Sequence, residues 1–124
     1  MSDAVPANVL TVWADLLVDV LARCGVRDVV ASPGSRSTPF LLAAVRHPSL
    51  VIHSVIDERA AGFYALGLAR VTRAPPLLLC TSGTAPAHYL PAVIEASEAS
   101  LPLVVLSADR PRELIGKGAP QTTD

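Results

Sequence analysis

The sequence has little cysteine, histidine and aromatic side chain. Of its 124 residues, 4% are aromatic and two are cysteines, Cys24 and Cys80. The two cysteines lie far apart and form no Cys-x-x-Cys pair, which weighs against a disulfide framework or a zinc site and favours reduced, buried thiols. Its histidines have no metal-ligand spacing, so packing or surface roles are favoured for His47, His53 and His88. The sequence therefore predicts no metal ligands in this chain.

Charge of one sign and long apolar runs are also missing. Ten basic and eleven acidic residues give a formal net charge of -1 without a basic cluster, which excludes nucleic acid as an expected partner. No apolar run approaches the roughly 18 residues of a membrane span, and an acidic residue stands where a signal peptide has basic ones. We therefore expect no membrane span and a cytoplasmic location.

Several sequence motifs of common enzyme classes are absent. The chain contains no G-x-G-x-x-G after its first strand, no G-x-x-x-x-G-K-[ST], no G-x-S-x-G and no H-E-x-x-H. These absences weigh against a dinucleotide oxidoreductase, a P-loop ATPase and a serine hydrolase.

Strand and helix patterns alternate along the chain, 51% of which is hydrophobic. Apolar residues three and four apart predict an amphipathic helix from Val9 to Cys24, with Gly25 as its stop. Further helices are predicted at residues 38–47, 58–72 and 85–100. Apolar runs predict buried strands at residues 29–31, 50–56, 76–80 and 101–107. Such strands, separated by helices, indicate a doubly wound α/β domain with a mostly parallel sheet covered on both faces. Residues 1–124 are expected to form a single, partial domain.

Polar or charged turns follow all four predicted strands. They read SPGSRSTP, DER, TSGT and SADRP, and the carboxyl ends of parallel strands are where doubly wound domains bind ligands. Together these turns predict a binding site at one edge of the sheet.

Each turn residue also has a purely structural interpretation. Ser37 and Thr84 are typical helix caps. Gly34 and Gly83 are typical of tight turns. Arg36 and Arg110 could be solvated surface charges. Asp57 could pair with Arg59, and Asp109 with Arg110.

Glu58 lies where an apolar strand meets a helix rich in alanine and glycine. Removing a carboxylate from water costs several kcal/mol unless it is paired or protonated. Glu58 is therefore either held by a neighbour or kept for chemistry.

The helix that begins at Glu58 carries a resemblance to a known family. Its pattern E-x-x-A-x-x-x-A-x-G-x-A-R resembles the pyrimidine-binding domain of thiamine-diphosphate enzymes. The resemblance implies that Glu58 is catalytic and hydrogen-bonds N1′ of the cofactor's aminopyrimidine. It also implies that the turn after the third strand binds the cofactor through Ser82, Gly83 and Thr84.

Six ordered motifs narrow the resemblance. SPGSRSTP, DER, TSGTA, PAVIEA, SADRP and GKGAPQT resemble the family of 2-succinyl-5-enolpyruvyl-6-hydroxy-3-cyclohexene-1-carboxylate synthases, which join 2-oxoglutarate to isochorismate in menaquinone biosynthesis. The resemblance implies substrate binding by Ser35, Arg36, Arg110 and Gln121. One position departs from the family, which usually has asparagine where this chain has Pro120. Proline has neither an amide side chain nor a backbone N–H.

The same resemblance implies features outside these residues. Enzymes of the family carry a second domain that holds Mg²⁺ and the diphosphate, and their active site forms between subunits. We therefore expect a homodimer or homotetramer that uses thiamine diphosphate and Mg²⁺, and a 124-residue piece that is inactive alone. Two alternatives stay open. One is a stand-alone, non-catalytic binding module; the other is a different thiamine-diphosphate enzyme for 2-oxo acids, against which SPGSRSTP argues.

Overall fold

The structure is a computed structural model that describes residues 8–122. It contains four α-helices, which are α1 Val9–Arg23, α2 Thr38–Arg46, α3 Glu58–Thr72 and α4 Leu90–Glu98. Its four strands are β1 Asp28–Ala31, β2 Val51–Ser54, β3 Leu77–Cys80 and β4 Val104–Ser107. Two short 3-10 helices span Ala85–Tyr89 and Arg112–Leu114. None of the helices in this described part is both long and apolar enough to cross a membrane.

The four strands form one parallel sheet in the order β2-β1-β3-β4. The chain reverses direction across the sheet after β2, when it crosses over β1 to form β3. The carboxyl ends of β1 and β3 therefore lie side by side at the centre of one edge. A doubly wound sheet binds ligands at such a switch point.

Helices cover both faces of the sheet, as the sequence predicts. On one face, α1 and α2 pack small side chains such as Ala14 and Ala44 against Val29 and Leu79. On the other face, α3 and the 3-10 helix before α4 pack against alternate strand residues, among them Val30 and Leu78. Successive side chains of a strand point to opposite faces, so each central strand contributes to both cores.

The predicted helix at residues 9–24 is confirmed, and Asn8 caps it by accepting a hydrogen bond from the Thr11 amide at 2.8 Å. The side chains that face the sheet, however, are Ala14, Val18 and Ala22. The largest apolar residues face outward instead, with Trp13 62% exposed. Five further apolar residues of α1 are also exposed: Val9, Leu10, Val12, Leu16 and Val20.

The sequence predicts a buried strand at residues 50–56. A strand forms there, but the prediction that it is buried is wrong. β2 covers only Val51–Ser54, it lies at the edge of the sheet, and Val51 is 56% exposed. β4 lies at the opposite edge and alternates between partly buried and exposed residues. Apolar runs of four to seven residues predict a strand, but they do not distinguish an edge strand from a central one.

Proline accounts for a second difference. The predicted helix at 85–100 is a 3-10 helix followed by α4, which ends at Glu98. Pro91 has no N–H to donate to the carbonyl of Ala87, so an α-helical ladder cannot run through this point. α4 therefore begins at Leu90, with the proline in its first turn, where a donor is not needed.

The helix caps predicted at Ser37 and Thr84 are correct in position but not in bonding. Both residues stand immediately before a helix, and neither side chain caps it with a hydrogen bond. The Ser37 hydroxyl donates instead to the carbonyl of Gly34 at 3.0 Å. Ser37 thus closes the turn after β1.

Candidate functional site

A cavity of about 390 Å³ opens at the carboxyl edge of the sheet, beside the end of β3. Three parts of the chain that the sequence predicts to carry site residues meet in it: the TSGT turn, the first residue of α3 and the segment around Gln121. Its lining consists of Pro33, Glu58, Thr81, Ser82, Gly83, Thr84, Ala85, His88, Gln121 and Thr122. The structure therefore brings Glu58 together with all three residues predicted to bind the cofactor.

Glu58 is partly buried and is not neutralised by a neighbouring cation. Asp57 caps α3 and binds Arg59, with its carboxylate 2.9 Å from the Arg59 amide and 2.5 Å from the guanidinium. Those hydrogen bonds hold the pKa of Asp57 well below its usual value and raise that of Arg59. Among residues 8–122, no ion pair within 4.0 Å includes Glu58. Its carboxylate therefore faces the cavity without a countercharge.

The residues behind the cavity are uncharged. Burial raises the pKa of the Cys80 thiol to about 11, and the negative charge of Glu58 adds to the effect. Burial also raises the pKa of Tyr89, which is 1% exposed. Both side chains stay protonated at neutral pH, so neither adds a negative charge behind the cavity.

Small residues let α3 pack closely and so fix the position of Glu58. Ala61, Ala65 and Ala69 are fully buried along the helix. A Cβ added at Gly62 would lie 3.0 Å from the Cβ of Ala92 on α4. The alanine and glycine spacing noted in the sequence therefore serves helix packing.

Two predicted arginines converge on the segment at residues 120–122. Arg36 donates a hydrogen bond to Oε1 of Gln121 at 2.7 Å, and Arg110 donates to the carbonyl of Pro120. The Ser82 hydroxyl donates to the Gln121 carbonyl at 2.9 Å. Partial desolvation lowers the pKa of Arg110, and the positive charge of Arg36 lowers it further. The two guanidinium groups are thus near each other beside the cavity, where an anion would offset their repulsion.

Glycine permits this segment to lie against the turn after β3. Gly83 has a φ of +77°, and a Cβ there would lie 2.9 Å from the backbone of Gln121. Pro120 cannot supply the amide side chain that the related family usually has at this position, and contributes its carbonyl oxygen to Arg110 instead.

One predicted substrate residue lies apart from this cavity. Ser35 follows Gly34 in the same turn but lines a separate depression of about 310 Å³ between α1 and α2, together with Thr11, Thr38 and Arg46. The structure therefore brings Arg36, Arg110 and Gln121 together, but not Ser35.

His88 was missed as a cavity residue. The sequence favoured a packing or surface role, and the side chain is indeed exposed, but it lines the cavity that contains Glu58. Ala85 and His88 are three residues apart in a 3-10 helix, so their side chains lie on the same side, and both line the cavity. Within residues 8–122 there is no group of three or more histidine, cysteine, aspartate or glutamate side chains placed to hold a metal ion.

Curated relatives with one function resemble this chain along most of its length. The 2-succinyl-5-enolpyruvyl-6-hydroxy-3-cyclohexene-1-carboxylate synthase of Chloroflexus aurantiacus is 58% identical over 115 residues, which are 93% of this chain and 20% of the relative. Proteins with the same name from Geobacillus kaustophilus and Myxococcus xanthus are 56% and 58% identical over 95% and 94% of the chain, and over 20% of each relative. The chain thus spans about a fifth of the length of the curated relatives that it matches.

Residues 12–124 match the model of a protein family described as "Thiamine pyrophosphate enzyme, N-terminal TPP binding domain". That range includes the sheet, the cavity and both arginines. The chain therefore belongs to the family of N-terminal TPP-binding domains of thiamine pyrophosphate enzymes.

Proposed function

We propose that a full-length protein carrying this chain is a thiamine-diphosphate-dependent transferase of menaquinone biosynthesis. It decarboxylates 2-oxoglutarate and adds the remaining four-carbon unit to isochorismate, which gives 2-succinyl-5-enolpyruvyl-6-hydroxy-3-cyclohexene-1-carboxylate. The names of the relatives support this reaction. The observation that carries it is that Arg36 and Arg110, from different turns, both donate hydrogen bonds to residues 120 and 121, beside the cavity that contains Glu58.

The cavity residues fit the pyrimidine half of thiamine diphosphate. A carboxylate without a countercharge is a suitable acceptor for a protonated ring nitrogen, and the uncharged thiol and phenol behind it leave Glu58 as the proton-handling group. When bound, the cofactor supplies an acidic carbon, C2, at which a 2-oxo acid can lose carbon dioxide. We propose that Glu58 holds the proton at N1′, and that Ser82, Gly83 and Thr84 position the ring.

The arginine side of the cavity suits an acidic substrate. Isochorismate and 2-oxoglutarate both carry carboxylates, and a guanidinium group offers two parallel donors to a carboxylate. We assign Arg36, Arg110 and Gln121 to the binding of isochorismate. A carboxylate of the substrate would replace the oxygens of residues 120 and 121 as the acceptor of the arginine hydrogen bonds. We include Ser35 in the proposed isochorismate site only because it lies in the same turn as Arg36.

Four wider proposals accompany the reaction. Residues 1–124 form part of one pyrimidine-binding domain, and Mg²⁺ is bound with the diphosphate by residues outside this domain. The protein works in the cytoplasm as a homodimer or homotetramer with its active site between subunits. The family match and the share of the relatives that the chain covers support the domain assignment. The resemblance of the sequence motifs supports Mg²⁺ and the oligomer, and the lack of signal-peptide features in the sequence supports the cytoplasm.

The proposal is tested with the protein encoded by the complete reading frame that contains these residues. The purified protein is given thiamine diphosphate, Mg²⁺, 2-oxoglutarate and isochorismate, and mass spectrometry follows the product. Formation of the succinylated cyclohexene with release of carbon dioxide supports the proposed function. Release of carbon dioxide from other 2-oxo acids, without use of isochorismate, would favour a different thiamine-diphosphate enzyme. No cofactor binding at all would favour a non-catalytic module.

A further inference from the structure

Gly34 and Thr81 join the turn after β1 to the turn after β3. A Cβ added at Gly34 would lie 2.3 Å from the Cβ of Thr81 and 2.9 Å from its Cγ2 and Oγ1. Carbon atoms in contact normally lie about 3.5 to 4.0 Å apart. The two turns are therefore so close that only glycine fits at position 34. Thr81 is 4% exposed and held at the end of a central strand, so it has little room to give way.

The same glycine anchors the turn that carries Arg36. The carbonyl of Gly34 accepts hydrogen bonds from the hydroxyls of Ser37 at 3.0 Å and Thr38 at 3.4 Å. At the start of the turn, the Ser32 amide donates to the carbonyl of Leu79 on β3 at 2.9 Å. The turn is thus fixed to β3 at Ser32 and Gly34, and Arg36 extends from its far side to Gln121.

We propose that Gly34 and Thr81 are positioning residues, whose close packing sets the distance between Arg36 and the cavity that contains Glu58. This inference rests on the proposed function, since it assigns Arg36 to isochorismate. A side chain at position 34 would push the two turns apart by about 1 Å, which is the scale at which misplaced binding groups lose their effect. Neither residue needs to touch the substrate.

The test is Gly34→Ala in the full-length holoenzyme. We expect KM for isochorismate to rise about tenfold or more, while release of carbon dioxide from 2-oxoglutarate without isochorismate changes less than twofold. Moving the glycine to the opposite turn, in Gly34→Ala/Thr81→Gly, removes the collision and should restore most of the KM. An unchanged KM in a folded Gly34→Ala protein, or no recovery in the double variant, would overturn the proposal.

Gly62→Ala provides a matched control. The added Cβ would lie 3.0 Å from Ala92, so this glycine is also tightly packed, but between α3 and α4 and away from the Arg36 turn. A general loss of packing should lower the unfolding temperature in both variants. Gly62→Ala disturbs the helix that positions Glu58, so it should lower carbon dioxide release from 2-oxoglutarate, whereas only Gly34→Ala should raise KM for isochorismate and spare that release. An equal rise in KM in Gly62→Ala would contradict the proposal.

Hydrogen exchange supplies a readout that does not need turnover. In Gly34→Ala, or in Thr81→Gly if the alanine variant does not fold, the hydrogen-bonded amides of Thr38 and Leu41 should exchange at least tenfold faster while those of β3 stay protected. Unchanged exchange at Thr38 and Leu41 would overturn the positioning role. A parent protein that uses neither substrate would refute the proposed function, and the exchange result would still decide whether the contact fixes the turn.

Discussion

Arg36 and Gln121 are 85 positions apart in the sequence, and the Arg36 guanidinium lies 2.7 Å from the Gln121 side-chain oxygen. This hydrogen bond connects the turn after the first strand to a segment that follows the last one. It brings a cation to the edge of the cavity that contains Glu58. The cationic and acidic halves of the site are therefore separate groups in one cleft, and substitution can test each half independently.

Arg36→Ala should impair the isochorismate step and spare the decarboxylation step. Loss of a charge-assisted hydrogen bond to a carboxylate costs about 1.5 to 3 kcal/mol, which corresponds to a rise in KM of about tenfold or more. The measurement compares KM for isochorismate with the release of carbon dioxide from 2-oxoglutarate alone. Arg46→Ala is the control, because Arg46 pairs with Asp15 at an exposed site at 2.6 Å. A parallel fall in both steps would assign Arg36 to the fold or the cofactor.

Glu58→Gln should retain the fold but slow proton loss from C2 of the bound cofactor. The amide keeps the size of the side chain and removes the carboxylate that holds the proton at N1′, so exchange should slow by a factor on the order of 10² or more. NMR of the exchange of C2 hydrogen for deuterium in the full-length protein checks this. Glu95→Gln, on an exposed position of α4, should leave the rate unchanged. Normal exchange in Glu58→Gln would mean that the carboxylate is structural.

Asp57→Ala should weaken the start of α3, because Asp57 caps the helix and binds Arg59. We expect the unfolding temperature to fall by a few degrees and amide exchange in the first turn to accelerate. Asp57→Asn should keep most of the cap while losing the ion pair.

The pH dependence of the Asp57 effect has a definite sign. Because the folded-state pKa lies below the ordinary value of 3.8, the stabilisation by the charged carboxylate is fully present above pH 3.8. It is lost as the pH falls below that value toward the lowered pKa. The stability difference between the parent and Asp57→Asn should therefore be constant near neutral pH and shrink in acid. A difference that instead grows in acid would contradict this assignment.

The two cysteines should differ sharply in reactivity. The prediction of two buried thiols is wrong for Cys24, which is exposed at the end of α1, whereas Cys80 is buried with a pKa of about 11. At pH 8 only about one Cys80 thiol in a thousand would be ionised even if it were accessible. Alkylation followed by peptide mass spectrometry should modify Cys24 in the native protein and both residues in denaturant. Rapid native alkylation of Cys80 would show that the cavity region opens to solvent.

The sequence predicted the order of helices and strands because local patterns determine them. The β2 and β3 runs, each followed by a polar turn, were sufficient to place Glu58 and the TSGT turn at the same edge of the sheet. Sequence did not reveal that β2 is an edge strand, because strand order depends on pairing between distant residues. It also did not reveal that Ser35 lies apart from Arg36, because neighbouring residues of a turn point in different directions.

The exposed apolar row on α1 favours self-association of this polypeptide in solution. The row consists of Val9, Val12, Trp13, Leu16 and Val20. Apolar side chains exposed together on one helix face favour association between molecules. Kosmotropic salts such as ammonium sulfate strengthen apolar association. In such a salt, light scattering by this polypeptide should therefore rise with the protein concentration. Replacing Trp13 with glutamine would reduce that scattering without touching the sheet. Biophysical work on these residues alone should therefore begin at low protein concentration and without salting-out buffers.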